Sequence, residues 1–513
     1  GDRYVFHHDR YDGAASSDIV ASFFEAVRIL ESASSPAISN LSKTGRFYDW
    51  IESRVDPNAF ERVFRAFASH SFASLSGDLL GRFFEHYAQR VDKRRRRRLG
   101  QYYTPPSVVQ FIWSEALAIA EDRGVLQDVR VLDPGVGSAA FLTEGARRMS
   151  DAGVTRFWER LVGFDIDPQV IGVAYVNLFL AVLSGLERQD AEQVEELHLY
   201  PTDALEPTSS APLTAYLPLL TAEPLRQYLA GQIDLSASVK AASAYDLVIG
   251  NPPYRNNSTR TLQQVAETFP RLLQTSRANA RLRERNIRDD YAWFFAAADY
   301  YIQQDGLIGF VVSSSFCAAD SYRYFRLDLL RNYAIRRLVH LGTGIFDDVG
   351  PRTSFVVVLL EKRASSIATE NIESHEFFDL RAFDEPEARL ALLNEAALGN
   401  WVNWPDAELV TPTETHNFRL HPIDPLVPAV KSAGLPLFAG RDEQSIFLKK
   451  WPGLITALDN LWRGQERQEL ESRIQGFFSC AHDRSDRGET NIESFLNAEG
   501  LEDKDADRVR VFL

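Results

Sequence analysis

The stretch Val131-Leu132-Asp133-Pro134-Gly135-Val136-Gly137-Ser138, running into a helical pattern from Ala139 to Met149, decides how this 513-residue chain is read. A short apolar strand ends on a carboxylate and turns through glycines into a helix. That turn lets backbone N–H groups and the helix N-terminus meet a ligand at the carboxyl edge of a sheet. Glycine is needed where a side chain would strike the ligand or where φ is positive. Further on, a second run ends Gly163-Phe164-Asp165-Ile166-Asp167, which puts a carboxylate where both hydroxyls of a ribose can donate to it. Either loop alone is also met as an ordinary tight turn in an α/β protein. The first loop has no terminal Lys-Ser/Thr and no strict G-x-G-x-x-G, so a pyrophosphate is not the indicated ligand. A nucleoside with a short cationic sulfonium and an amino-acid tail suits it better, with Asp133 holding the ammonium directly or through water.

Outward from these loops, β-rich runs alternate with helical stretches: Val129 to Leu132, Leu161 to Phe164, Leu197 to Tyr200, Leu247 to Ile249, Leu307 to Val312, Ile335 to Leu341 and Ser354 to Leu360. The alternation predicts a doubly wound, mostly parallel sheet. Gly342, Gly344, Gly350 and Pro351 leave no room for a helix between the last two runs, which are expected to pair antiparallel at one end of the sheet. Before the sheet, apolar residues recur at helical spacing in Asp18 to Glu31, Phe60 to Phe67 and Leu79 to Tyr87. Residues 1–95 therefore read as a helical region, 96–365 as the α/β domain, and 366–513 as a Pro- and Asp-rich, partly helical C-terminal region.

Composition is that of a globular protein, 45% hydrophobic and 25% charged. No apolar run is long and charge-free enough to span a bilayer. Cys317 and Cys480 are too few for a disulfide framework or a Cys-rich zinc site, and no metal ligand set is expected. The opening Gly-Asp-Arg lacks the features of a secretory signal, so the cytoplasm is the expected location. A first residue of Gly and a single Met, Met149, suggest a processed chain or part of a longer protein. The formal net charge of −15 does not exclude a nucleic-acid partner, because a local basic stripe still binds phosphate.

The run Leu247-Val248-Ile249 leads into Asn251-Pro252-Pro253-Tyr254. This tetrapeptide resembles the catalytic motif of the N6-adenine DNA methyltransferases, whose target, the exocyclic amine of adenine, is a poor nucleophile because its lone pair is delocalised into the ring. Acceptors at the Asn251 amide oxygen and the Pro252 carbonyl would bind both amine hydrogens and favour a pyramidal nitrogen. The two prolines hold that carbonyl outward on a rigid turn. A base inside a duplex is out of reach, so it must flip out, and Tyr254 would stack on its face. Neither cysteine follows a proline, which argues against cytosine-C5 chemistry.

Taken in order, these segments resemble the γ-type N6-adenine DNA methyltransferases of single-chain restriction-modification enzymes, type IIG and type I single-polypeptide, and related phage-defence proteins. The resemblance covers roughly residues 75 to 365. It implies a class I S-adenosylmethionine-dependent methyltransferase fold, Rossmann-like and doubly wound with an antiparallel last strand. Gly100-Gln101-Tyr102-Tyr103-Thr104-Pro105 is similar to the family's motif before the first strand, whose backbone and Thr contact the methionine moiety. Asp133, Gly135 and Gly137 match the main cofactor loop, Asp165 and Ile166 the ribose loop, and Asp203 the acid facing the cofactor's adenine amine. Asn251 to Tyr254 match the catalytic motif. Ala139 stands where the family has its second glycine, and this departure puts cofactor affinity at issue.

The segment after the catalytic turn carries Arg255, Arg260, Arg271, Arg277, Arg281, Arg283, Arg285 and Arg288. It is read as contacting the phosphates of double-stranded DNA around the flipped base. Arg94 to Arg98 form a second cluster, read equally as a phosphate site or a solvated face. Phe346, in the last hairpin, is the candidate for the opposite face of the base. Two other functions stay open: a catalytically silent DNA-binding scaffold for partner subunits, kept alive by Ala139, and a protein glutamine methyltransferase, which is typically smaller and lacks the Tyr-Tyr-Thr-Pro segment. No convincing nuclease carboxylate–Lys motif or Walker-type loop is present, so any restriction parts lie in other domains or subunits.

Overall fold

The computed structural model describes residues 15–31, 55–68, 104–186, 193–194, 196–207, 239–240, 243–254, 260–273, 287, 289–318, 322–346, 353–367, 375–402, 404 and 408–410. The expected helix at Leu79 to Tyr87, the Arg94 to Arg98 cluster and everything after Val410 lie outside them. Two helices, α1 (Ser16–Glu31) and α2 (Pro57–Ala68), occupy the N-terminal region as the apolar spacing predicts. Phe23 of α1 meets Phe60 of α2 edge-on, with ring centroids 5.1 Å apart.

The α/β part opens with α3 (Pro106–Asp122), whose first residue is a proline and which ends before Gly124 at φ +66°. There follow β1 (Val131–Asp133), α4 (Ala140–Asp151), β2 (Leu161–Asp165), α5 (Pro168–Ser184), β3 (His198–Pro201) and β4 (Tyr245–Gly250). Next come α6 (Leu262–Thr268), α7 (Asp290–Tyr301), β5 (Ile302–Ser313), α8 (Ser315–Ala318), α9 (Arg323–Asn332), β6 (Tyr333–Gly342) and β7 (Phe355–Lys362). The described chain finishes with β8 (His375–Asp379), α10 (Pro386–Ala397) and β9 (Glu408–Val410). The strands lie in the order β3-β2-β1-β4-β5-β7-β6-β8-β9. Neighbours from β3 to β5 are parallel, and β7 runs antiparallel to both β5 and β6.

Both faces of the sheet are covered, which is why its central strands read as unbroken apolar runs. On one face lie α10, α3, α4 and α5, each packed on the next. Gly309 of β5 points to that side, for a Cβ there would fall 2.9 Å from the Ile112 side chain of α3. Phe310, the next residue, points the other way and meets Phe295 of α7 at 5.2 Å. The period of two thus splits β5 between two cores.

The antiparallel pair β6–β7 forms as expected, but it does not close the sheet. Strand β7 inserts between β5 and β6, and β8 adds parallel to β6 through Val339↔Phe378 and His340↔Asp379. The sheet therefore continues beyond residue 365. The expected boundary came from a change of composition, whereas pairing is decided by backbone groups at the edge of β6. The Trp401–Trp404 pair, with centroids 4.7 Å apart, packs on Phe111 of α3 and Phe378 of β8 and ties this extension to the core. Among the described residues no helix is long and apolar enough to cross a membrane.

The seat of Trp113 gives a test of this packing. Its indole Nε1 donates to the Phe141 carbonyl at 2.8 Å, and its ring covers Gly145 of α4 so closely that a Cβ there would fall 2.3 Å from a ring carbon. Gly145→Ala gains about 1 kcal/mol of helix propensity but must displace a fully buried indole, an overpacking cost of about 1–3 kcal/mol. The net expectation is a lower midpoint of denaturant unfolding with an unchanged slope.

Candidate functional site

The described site residues line the carboxyl edge of the sheet in strand order. Asp203 follows β3, Asp165 ends β2, Asp133 ends β1 and Asn251 follows β4. With strands about 4.8 Å apart, the row is roughly 14 Å long. Each of the three acids is almost fully buried.

Asp133 is held by its own loop, its Oδ1 accepting from the Gly135 N–H at 3.0 Å. The loop in turn is tied to the next strand and helix. The Val136 N–H donates to the Phe164 carbonyl at 2.8 Å, the Gly137 N–H to Asp165 Oδ2 at 3.1 Å, and Asn177 Nδ2 to the Ser138 carbonyl at 2.8 Å. Gly137 has φ +53°, a conformation that favours glycine. Ala139 is the N-cap of α4 at φ +69°, so the family's glycine answers to backbone conformation here. The Ala139 methyl is fully buried within the apolar core and is not turned to solvent at the crevice.

Asp165 also accepts from the Asp167 N–H at 2.9 Å. Burial pushes the Asp133 carboxyl up from 3.8 to about 8, with the Asp165 charge adding to the rise and the Gly135 N–H opposing it. Burial likewise raises Asp165 to about 7, against the pull of backbone N–H groups. The folded state therefore favours the protonated form of both acids. Their contribution to folding is present at low pH and is lost as pH rises from about 4 towards 8.

Asp203 has cations around it. Its Oδ1 accepts from the Leu205 N–H at 2.9 Å, and Arg260 Nη2 reaches its Oδ2 at 2.5 Å. Lys240, itself buried, donates to the carbonyls of Asp203 at 2.9 Å and Glu206 at 2.8 Å, and burial holds its ammonium down to about 8. Arg260 was expected on DNA phosphate; the structure places its guanidinium on the carboxylate after β3. Arg271 likewise reaches a carboxylate, that of Asp299 at 3.5 Å. Tyr103, Arg255, Arg277, Arg281, Arg283, Arg285 and Arg288 lie outside the described residues. Ile166 is half-buried beside Asp165.

At the catalytic turn the Asn251 amide is held at both ends. Its Nδ2 donates to Thr104 Oγ1 at 2.9 Å, and its Oδ1 accepts from the Tyr254 hydroxyl. That hydroxyl also lies 3.2 Å from the Val311 carbonyl of β5. Pro252 is buried and Pro253 half-buried. The Tyr254 ring meets Phe355 at 5.0 Å and Phe346 at 5.8 Å, both edge-on, and Phe346 lies 4.4 Å from Phe355. Tyr254 and Phe346 are brought together, but at 71° and in contact. In this arrangement they do not frame a slot for a base between facing rings.

Sequence reasoning missed Phe294, Asn177 and Lys240. Phe294 stands 3.4 Å from where a Cβ of Gly135 would be and so walls the cofactor loop. A signal for it existed: Tyr291 to Phe295 is apolar on all sides, the mark of a helix buried all round rather than on one face. Lys240 sits in no motif and offered none.

A sheet in the order 3-2-1-4-5-7-6, with a glycine turn after β1 and an acid at each of the first three strand ends, defines a class I methyltransferase fold. Residues 159–346 match the family model of the Eco57I restriction-modification methylase. A Methanocaldococcus jannaschii protein named as a type II restriction enzyme and methyltransferase is 23% identical over 132 residues, 26% of this chain and 10% of that one. Among solved structures, the DrdV–DNA complex superposes with a TM-score of 0.57 at 17% identity, covering 78% of this chain and 39% of that one. LlaBIII, an ATP-dependent type ISP restriction-modification enzyme bound to DNA, gives 0.57 at 16% identity, covering 80% and 28%. At these identities the likeness is one of fold, and the chain spans less than half of each of these proteins.

Ala139 generates the prediction for this site. An alanine in the left-handed region costs about 1 kcal/mol that glycine does not. Ala139→Gly is expected to raise the free energy of unfolding, read from denaturant titration, by about 1 kcal/mol; a loss of stability would mean that the buried methyl outweighs the strain.

Proposed function

We propose that the chain transfers the methyl group of S-adenosylmethionine to the exocyclic N6 of an adenine flipped out of double-stranded DNA, as the modification activity of a restriction-modification or phage-defence system. Such a reaction on host DNA belongs in the cytoplasm, alongside whatever nuclease, translocase or recognition parts complete the system. What carries the reading is the row Asp203, Asp165, Asp133, Asn251 along one sheet edge. It offers acceptors for an adenine amine, ribose hydroxyls and an ammonium in the order in which the cofactor carries them, and ends at an amide oxygen.

The residues fit the cofactor. Gly135 and Gly137 keep the loop after β1 free of side chains, Thr104 stands across from it on the catalytic amide, and the Ala139 methyl is withdrawn into the core. Bound there, S-adenosylmethionine supplies an electrophilic methyl on a sulfonium. The chain's own work is to bind and orient: Asn251 Oδ1 and the Pro252 carbonyl accept the two amine hydrogens, and Tyr254 stacks on the base. Withdrawal of the Ala139 methyl also weakens the ground for a silent scaffold.

The deciding experiment is tritiated methyl transfer to unmethylated genomic DNA, with the product nucleosides separated. N6-methyladenine is expected. Asn251→Ala should lower kcat by about 100-fold or more while leaving the fold and cofactor affinity nearly unchanged, since Asn251 lies past the buried part of β4. Methylcytosine, labelled protein in place of DNA, or an Asn251→Ala variant that turns over normally would each sink the reading.

A pH dependence follows from the buried acids. An ammonium and ribose hydroxyls favour the ionised forms of Asp133 and Asp165, whose carboxyls in the free protein sit near 8 and 7. Cofactor binding should therefore release protons, and affinity should strengthen as pH rises from 6 to about 8, then level off. Calorimetry in two buffers of different ionisation enthalpy measures the proton count; identical heats and a flat pH profile would contradict it.

A further inference from the structure

We propose that Thr104 is the positioning residue of the catalytic amide, anchoring Asn251 so that its Oδ1 is held towards the target base. The proposal rests on the N6-adenine reading above and adds to it a role for Thr104 distinct from contact with the cofactor. An amide side chain is nearly symmetric in shape about its last torsion, so its oxygen and nitrogen ends exchange places at little steric cost. Only the oxygen end serves the reaction. Turned round, Asn251 would set its own N–H groups against the hydrogens of the amine it is meant to receive.

Thr104 anchors the amide. Its Oγ1 accepts from Asn251 Nδ2 at 2.9 Å, which leaves Oδ1 on the opposite side. There the Tyr254 hydroxyl, which also lies 3.2 Å from the Val311 carbonyl, donates to it. The anchor is firm. Thr104 is 6% exposed and stands at the entry to α3, where Pro105 and Pro106 restrict the backbone and the Val108 N–H closes on the Pro105 carbonyl at 3.0 Å. The helix behind it is buried by Val108, Phe111, Ile112 and Trp113. A hydroxyl has two lone pairs and one proton, so accepting from Asn251 leaves that proton for a second partner, including a cofactor carboxylate.

The test uses the full chain, unmethylated genomic DNA and S-adenosylmethionine varied up to saturation. Thr104→Val keeps the shape and loses the acceptor; Thr104→Ser keeps the acceptor. The expected result is a kcat about tenfold lower for Thr104→Val, with KM for DNA within about twofold, an unfolding midpoint close to that of the parent, and recovery to near the parent rate in Thr104→Ser. An unchanged kcat in Thr104→Val with an active parent overturns the proposal alone. So does a rise confined to the cofactor KM, which would make Thr104 a cofactor contact only, or a fall in kcat that tracks lost stability and is not rescued by serine. A parent chain that puts no methyl on adenine overturns the underlying reading and this proposal with it.

Discussion

The site depends on the parallel pairing of β1 with β4. The registers Val131↔Leu247 and Leu132↔Val248 carry two strands far apart in sequence to the same edge, where Asp133 ends β1 and Asn251 follows β4. Gly250 makes the approach possible: a Cβ there would fall 2.7 Å from Asp133 Oδ1. From β1 the chain winds to β2 and β3 on one side, and from β4 to β5 on the other. The crevice opens where the winding reverses, the position at which open α/β sheets hold ligands. The three acids and the Asn251 amide thus share one edge because of a pairing made in the middle of the sheet.

The same edge concentrates charge in a way the net charge of −15 conceals. Asp203 is answered by Arg260 and, through the carbonyl side of its turn, by Lys240. Asp133 and Asp165 lean on backbone N–H groups, which orient a carboxylate but do not neutralise it. Burial holds the carboxyls of Asp133 and Asp165 above their ordinary range. Burying them costs stability in the free protein, and that cost is offset only when cationic or hydroxyl donors arrive.

Much of this was legible in the sequence because periodicity and glycine placement act locally. Seven of the nine described strands match apolar runs, and the glycine turn after β1 could be read from residues adjacent in the chain. What escaped depends on contacts between distant segments. The place of β7 between β5 and β6, and the addition of β8 and β9, follow from edge pairing that no local pattern encodes. Arg260 reads as one of a series of arginines, yet its guanidinium lies on Asp203, 57 residues away. Ala139 reads as a departure from a glycine pattern, and only the fold reveals that its methyl points into the core.

The contact between Tyr254 and Asn251 gives the resting site a chemical logic. An amide oxygen that is to receive an amine must be an acceptor before the amine comes, and a poorly solvated acceptor without a donor costs about 1–3 kcal/mol. The Tyr254 hydroxyl supplies that donor, so Oδ1 is held in its working orientation with its hydrogen-bonding need met. On the proposed reading, an incoming adenine amine would replace one donor with another, and the balance of hydrogen bonds at Asn251 would barely change. To stack on a base as proposed, the phenol would have to leave Phe346 and Phe355, on which it rests edge-on. The aromatic contacts surrendered there are of the same kind as the stacking gained, each about 0.5–1.5 kcal/mol beyond the area buried. Exchange of like for like keeps the protein's own contribution to base capture small. The cost of unstacking the base from its duplex then falls chiefly on contacts made elsewhere along the DNA.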